Sequence, residues 1–169
     1  MTYNANDIIQ NNVIIESKLG GKKAQVGYDL SVCNIERISA KDDVVFMDED
    51  SKIHDIEYAS VEMDDDGCWM LAPNTQYAVT FDQGCNFHNN EFGRIIGRSS
   101  LNRAGIICLG VIFDPGFVTE HIGCTLYTGN NFFRVHNHAR LAQLQVFETN
   151  PLEYEDLYNG RWQGMSNHA

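Results

Sequence analysis

Short apolar runs, rich in β-branched and aromatic residues and broken by Gly, Asn or Asp, recur along most of the chain. They are VGYDLSV, ERISAKDDVVFM, CWMLAP, QYAVTFDQ, RIIGRSS, GIICLGVIF, HIGCTLYTG, FFRVHN and RLAQLQVFE. Many short strands at regular spacing predict an all-β sandwich or barrel rather than a βαβ fold. Two stretches depart from this. NANDIIQNNVII predicts a brief helix begun by Asn4 or Asn6, with Ile8, Ile9 and Val13 near one face. SSLNRAG predicts a helical turn with serine as N-cap and glycine as terminator. The tail LEYEDLYNGRWQGMSNHA loses all period after Tyr158 and reads as a mobile arm, so residues 1–157 are expected to form one β domain and 158–169 a C-terminal arm.

Composition narrows the class. With 169 residues and 43% hydrophobic content, the chain suits one soluble domain and excludes collagen-like, disordered and membrane-spanning proteins. Twelve Lys and Arg against 23 Asp and Glu give a formal charge of -11, which repels nucleic acid and anionic membrane. Any anionic ligand must therefore be drawn by a local cluster. Cys33, Cys68, Cys85, Cys108 and Cys124 are scattered without CxxC or Cys/His spacing and read as buried free thiols in a reducing compartment. MTYNANDIIQNNVII lacks a signal-peptide pattern, so the protein is expected in the cytoplasm, its own or that of an infected host.

Candidate chemistry centres on GRSSLNRAG, Gly97 to Gly105, where two hydroxyls and two guanidinium groups are closed off by glycines. A helix beginning at Ser99 or Ser100 aims unpaired N–H groups and a positive dipole end at whatever lies before it. Serine hydroxyls can donate to phosphate oxygens, and Arg98 and Arg103 can add charge-assisted forks. The string suits a polyphosphate, and equally a helix cap with surface arginines. In FDPGF, Asp114 ends an apolar strand just before a Pro-Gly turn, where it can orient a water or simply form the turn. Gln143 interrupts RLAQLQVFE, and its amide needs a ligand or a neighbouring backbone group. MDDDG, Met63 to Gly67, lacks the spacing and closing Glu of a calcium loop and is expected to be a tight hairpin turn. His136 and His138 alternate as on one strand face, and with no third ligand nearby they read as a solvated edge rather than a metal site.

In this order, VGYDLSV, GRSSLNRAG, DPGF and ARLAQLQVFE resemble the first four motifs of the dUTPase and dCTP deaminase superfamily. YNGRWQG resembles the closing segment of the deaminase branch, LAPNTQYAVTF resembles the turn and strand before the second motif, and the likeness runs from about Val26 to Gly164. The resemblance implies an all-β distorted jelly-roll, the dUTPase-like β-clip, with a few short helices. It also implies a homotrimer with active sites between subunits and a C-terminal arm over the nucleotide. It implies pyrimidine deoxyribonucleoside triphosphates as substrates, with Mg2+ held mainly through their phosphates and no metal ligands assigned on the protein. On the matching positions, Arg98, Ser99, Ser100 and Arg103 would cradle the triphosphate and Asp114 would orient water. Gln143 would reach phosphate, Tyr127 would lie in the hairpin that reads the base, and Tyr158, Arg161 and Gln163 would belong to the arm.

The reaction turns on one residue. Deaminase members carry a proton-shuttling glutamate in the strand after the third motif. Here that strand reads HIGCTLYTGN, and the glutamate would align with Cys124, Thr125 or Tyr127, none of them a carboxylic acid; Glu120 falls too early, in the turn. Neither a hydroxyl nor a phenol readily replaces that carboxyl near neutral pH. The expected activity is therefore hydrolysis of dUTP or a related pyrimidine nucleotide to the monophosphate and diphosphate. Against it stand the deaminase-branch spellings GRSS and DPG and the missing glycine-rich fifth motif, which leave open a dCTP deaminase, mono- or bifunctional, and a catalytically silent nucleotide-binding trimer.

Overall fold

The structure is a computed structural model that describes residues 1–16, 20–160 and 163–164. From the N-terminus run α1 (Ala5–Gln10), β1 (Ile14–Ile15), β2 (Lys22–Ala24), β3 (Gly27–Ala40), β4 (Phe46–Met47), β5 (Ile53–His54), β6 (Ile56–Ser60), β7 (Cys68–Leu71) and β8 (Gln76–Phe81). There follow β9 (Gly84–Asn86), β10 (Glu91–Gly97), α2 (Ser99–Arg103), β11 (Ile107–Leu109), β12 (Ile112–Phe113), β13 (Val118–Thr119), β14 (Gly123–Tyr127), β15 (Phe133–His136) and β16 (Arg140–Glu148). No helix among the described residues is long and apolar enough to cross a membrane.

The main sheet has nine strands in the order β11-β14-β8-β3-β16-β10-β12, with β2 and β6 also paired to β3. Strands β11 and β12 stand at opposite ends of this order, yet only Gly110 and Val111 separate them, so the sheet must curl until its ends meet. The amide of Ile95 donates to the Val111 carbonyl at 3.0 Å across that seam. Gly110 is required there because a Cβ would collide with the Ile95 carbonyl oxygen. A three-stranded sheet, β1-β9-β13, and the pairs β15-β7 and β4-β5 complete the architecture, a distorted jelly-roll. The inward residues Leu30, Ile35, Trp69, Leu71, Phe81, Ile95, Leu126 and Leu144 fill the interior, each worth roughly 1.5–3 kcal/mol on leaving water.

Most of the expected strands are present, with boundaries moved for identifiable reasons. VGYDLSV and ERISA are one strand, β3, carried through by a register shift between Val32 and Asn34. VVFM is separate from it, because Lys41–Asp43 forms a 3-10 turn with Asp42 at positive φ. RIIGRSS ends as a strand at Gly97, and GIICLGVIF is broken at Gly110 and Val111. The serine N-cap is corrected: α2 begins at Ser99 behind Arg98, and no side chain caps it. Gly105, at φ +73°, follows its last turn as expected. For α1, Asn4 is the cap, completed by a capping box with Asp7. MDDDG is a hairpin turn in which Asp64 accepts from the Asp66 and Cys68 amides at 3.1 and 2.9 Å. The two histidines do not share a strand: His136 ends β15, whereas His138 lies beyond it at positive φ, with Nδ1 2.9 Å from an Asp82 carboxylate oxygen. All five cysteines are free thiols.

Candidate nucleotide site

The row Lys22–Asp29–Gln143–Ile96 crosses β2, β3, β16 and β10 in register, so these four side chains share one face of the sheet. Asp29 is the centre of that row. It is 7% exposed, and a carboxylate so enclosed must be compensated. Gln143 Nε2 donates to its Oδ1 at 3.1 Å, while Arg98 Nε and Arg140 Nη1 stand 3.5 and 3.8 Å from its Oδ2. Arg98 also donates to the Arg140 carbonyl at 3.3 Å. The first, second and fourth motif segments are thus tied together by one carboxylate. Neither Asp29 nor Arg140 stood out in sequence. The available signal was an isolated acid among Tyr28, Leu30 and Val32, which calls for a cation on a neighbouring strand.

The cradle continues from this knot into α2. Leu101 is buried and pins the helix, while Gly97 lies so close to Cys108 that an added Cβ would stand 2.9 Å from the cysteine Cβ. Ser99, Ser100 and Arg103 remain exposed, and among the described residues their side chains make no hydrogen bond or ion pair. Two hydroxyls and a guanidinium are therefore free to meet an anion, with Arg98 held beside them.

Asp114 sits in the turn between β12 and β13, its carbonyl accepting from the Phe117 amide at 3.1 Å. Phe113 and Phe117 are buried on either side and stack on each other at 5.1 Å, so the carboxylate is exposed on a rigid bend. The described part of the C-terminal segment packs on this same turn. The Tyr158 amide donates to the Pro115 carbonyl at 2.9 Å, and its ring meets Phe117 edge-on at 5.2 Å. Gln163 accepts from the Val118 amide at 3.1 Å and donates to the Gly116 carbonyl at 2.9 Å, so both ends of its amide are engaged with backbone. Arg161 lies outside the described residues.

Tyr127 forms a third group, its hydroxyl donating to Asn74 Oδ1 at 3.1 Å across to the Pro73-containing turn. Thr128 ties that turn down by donating to the Ala72 carbonyl at 2.6 Å. Strand β14 alternates faces: Cys124 and Leu126 are buried, Thr125 and Tyr127 are half-exposed on the opposite face. Cys124 points into the core, where its Sγ lies 3.3 Å from that of Cys108. The outward face of β14 thus offers a hydroxyl and a phenol but no carboxyl, and Glu120 is exposed in the turn before the strand.

Charge is unevenly spread. Residues 41–66 hold eleven acids against Lys41 and Lys52, a net -9, and the rest of the chain holds twelve acids against ten bases, a net -2. The cradle is therefore not opposed by the full formal charge of the protein.

The family described as dCTP deaminase-like matches residues 4–149. A probable deoxyuridine 5'-triphosphate nucleotidohydrolase of Methanosarcina mazei is 28% identical over 137 residues, 81% of this chain and 78% of that protein. The fold is similar to that of the 2'-deoxycytidine 5'-triphosphate deaminase from Agrobacterium tumefaciens, with a TM-score of 0.64 and 12% identity over 86% of this chain; the match spans 46% of that deaminase's length. It is similar also to the dUTPase of EIAV, with a TM-score of 0.54 and 15% identity over 88% of this chain and 98% of that one.

Proposed function

The chain belongs to the dCTP deaminase-like family, and from that premise we propose that it hydrolyses dUTP or a related pyrimidine deoxyribonucleoside triphosphate to the monophosphate and diphosphate. The observation that carries this reading is the outward face of β14, where Thr125 and Tyr127 stand at the strand in which deaminases keep their glutamate. Without a carboxyl there, the amino group at C4 has no proton shuttle, whereas hydrolysis at the phosphates can draw on Arg98, Ser99, Ser100, Arg103 and Asp114.

In this reading Ser99, Ser100, Arg98 and Arg103 bind the triphosphate and hold the charge that develops on its oxygens. Gln143, already aligned by Asp29, lies in the same row as Ile96, two residues before Arg98. Asp114 accepts a hydrogen bond from a water and orients it toward phosphorus. Water adds to that phosphorus, its proton passing to Asp114 as general base, as the bond to the diphosphate oxygen breaks and diphosphate leaves. Magnesium, when bound, neutralises phosphate charge. The ion would be carried by the nucleotide phosphates, since the buried carboxylate of Asp29 is already engaged by Arg98 and Arg140. Excess chelator is expected to abolish turnover, and full activity in its presence would contradict magnesium's part.

Ile96, Ile107, Leu109, Val111 and Ile112 are exposed apolar residues on β10 to β12. Such a face suits contact with further copies of the chain in a homotrimer, with the site completed between copies. A second reading, dCTP deamination, is favoured by the family match and by the Gly97-Arg98-Ser99-Ser100 spelling. Incubation with dUTP and, separately, dCTP in the presence of magnesium, following diphosphate and ammonia, distinguishes them. Diphosphate from dUTP without ammonia from dCTP is expected; ammonia from dCTP establishes the deaminase, and binding without turnover a silent trimer.

A further inference from the structure

Beyond Arg37, β3 leaves β8 and continues with β6 alone, and the chain between them folds back through the hairpin β4–β5. From residue 38 to 60 no side chain is buried. Val44, Val45, Phe46, Met47 and Ile53 are 62, 53, 54, 57 and 43% exposed. The hairpin is nonetheless a built structure. Asp48 Oδ1 accepts from the amides of Asp50 and Lys52 at 3.0 and 2.8 Å, and its other oxygen pairs with His54 Nε2 at 2.7 Å. Phe46 pairs with His54 and Met47 with Ile53, so apolar groups stand on both faces of the ribbon. A two-stranded ribbon with no core of its own is marginal in water, and consecutive exposed apolar residues on it mark an interaction site.

The surrounding charge says what it meets. Asp42, Asp43, Asp48, Glu49, Asp50, Asp55 and Glu57 flank the apolar tip, against Lys41 and Lys52 only. Nucleic acid and anionic membrane are repelled. A second copy of the chain presents an equally acidic arm, and its arginine cluster of Arg98, Arg103 and Arg140 is committed to Asp29 and to the nucleotide site proposed above. We propose that the ribbon of residues 38–60 is a docking arm that inserts its apolar tip into the cleft of another protein whose rim is basic.

A fluorescent amphipathic peptide of leucine and lysine serves as the probe, with leucine–glutamate and glutamine–lysine peptides of equal length as controls, titrated against the full chain. The leucine–lysine peptide is expected to bind and to slow amide exchange within residues 44–58. Phe46→Ser with Met47→Ser should weaken it at least tenfold, as should the quadruple change Asp42→Asn, Asp43→Asn, Glu49→Gln and Glu57→Gln. Melting temperature, oligomeric state and nucleotide turnover should not move, since no altered side chain is buried or placed at the nucleotide site. Equal binding by either control peptide, equal binding to the serine variant, or protection elsewhere on the chain would overturn the proposal. So would disassembly of the serine variant, which would make a second copy the occupant.

Discussion

Near its start β3 holds Asp29, buried, bonded to Gln143 and flanked by Arg98 and Arg140; from Ile38 onward the same strand roots a ribbon in which nothing is buried and acids outnumber bases. Nine residue steps of extended chain, roughly 30 Å, separate them. In the first region one carboxylate of the first motif segment organises arginines from the second and fourth into a face able to take an anion. In the second, carboxylates have few cations to organise: Asp48 is held by backbone amides and His54, and Asp50 pairs with Lys52. The contrast shows how a chain with a formal charge of -11 can keep a face of free hydroxyl and guanidinium groups: most of the net negative charge is gathered in residues 41–66.

The largest expected effect lies on the phosphate side. Asp114→Asn should lower turnover about 10²–10⁴-fold, the usual range for a lost general base, with triphosphate affinity kept; steady-state kinetics with a binding titration reads both, and unchanged turnover removes Asp114 from the reaction. Next, the two halves of β3 should differ in stability. Asp29→Ala leaves Arg98 and Arg140 without their carboxylate and should cost about 2–3 kcal/mol, below the roughly 3–5 kcal/mol of a fully buried pair because both arginines are about one-third exposed. Phe46→Ser on the ribbon should stay within about 0.5 kcal/mol. Denaturant unfolding of both variants breaks the contrast if the two losses are equal.

A smaller effect sharpens the role of the cradle. Arg103→Ala should weaken triphosphate binding about 10–100-fold through the loss of one charge-assisted fork, while nucleoside binding stays. Calorimetric titration with both ligands checks it, and equal weakening would make Arg103 a fold residue. The smallest effect is on the acidic side. His54 and the Lys52 amide hold the Asp48 carboxyl below its ordinary value, and Arg134 with the Cys68 amide does the same for Asp64. A carboxyl with a lowered folded-state pKa stabilises above its unfolded value, about 3.9, and loses that contribution as pH falls through the folded value. The turns at residues 48–52 and 64–68 should therefore hold at pH 5 and loosen only below about pH 4. Amide exchange against pH measures this, and turns that tighten on acidification would contradict it.

Much of this was legible in sequence because local chemistry decided it. An asparagine before α1, Gly105 after α2 and the MDDDG run at the hairpin turn carried those signals, while the structure chose Asn4 over Asn6 through its capping box with Asp7. Boundaries that depend on partners were not. The continuation of β3 through ERISA rests on its pairing with β6, whose sequence IEYAS carries few apolar signals. In the site, Arg98, Gln143 and Asp114 were visible through motif order. Asp29 and Arg140 were not, because their meaning comes from register: Asp29 gains its role only when β16 sets Gln143 opposite it. The docking of Tyr158 and Gln163 on the Pro115–Val118 segment was equally hidden, since backbone acceptors leave no mark in a sequence.

A crystal structure with a non-hydrolysable imido analogue of dUTP and magnesium tests the central claim most directly. The phosphates should lie against Arg98, Ser99, Ser100 and Arg103, a water should bridge Asp114 and the phosphorus to be attacked, and no carboxyl should stand beside C4 of the base. A phosphate tail seated elsewhere, or Glu120 or another carboxylate within hydrogen-bonding distance of C4, would contradict it.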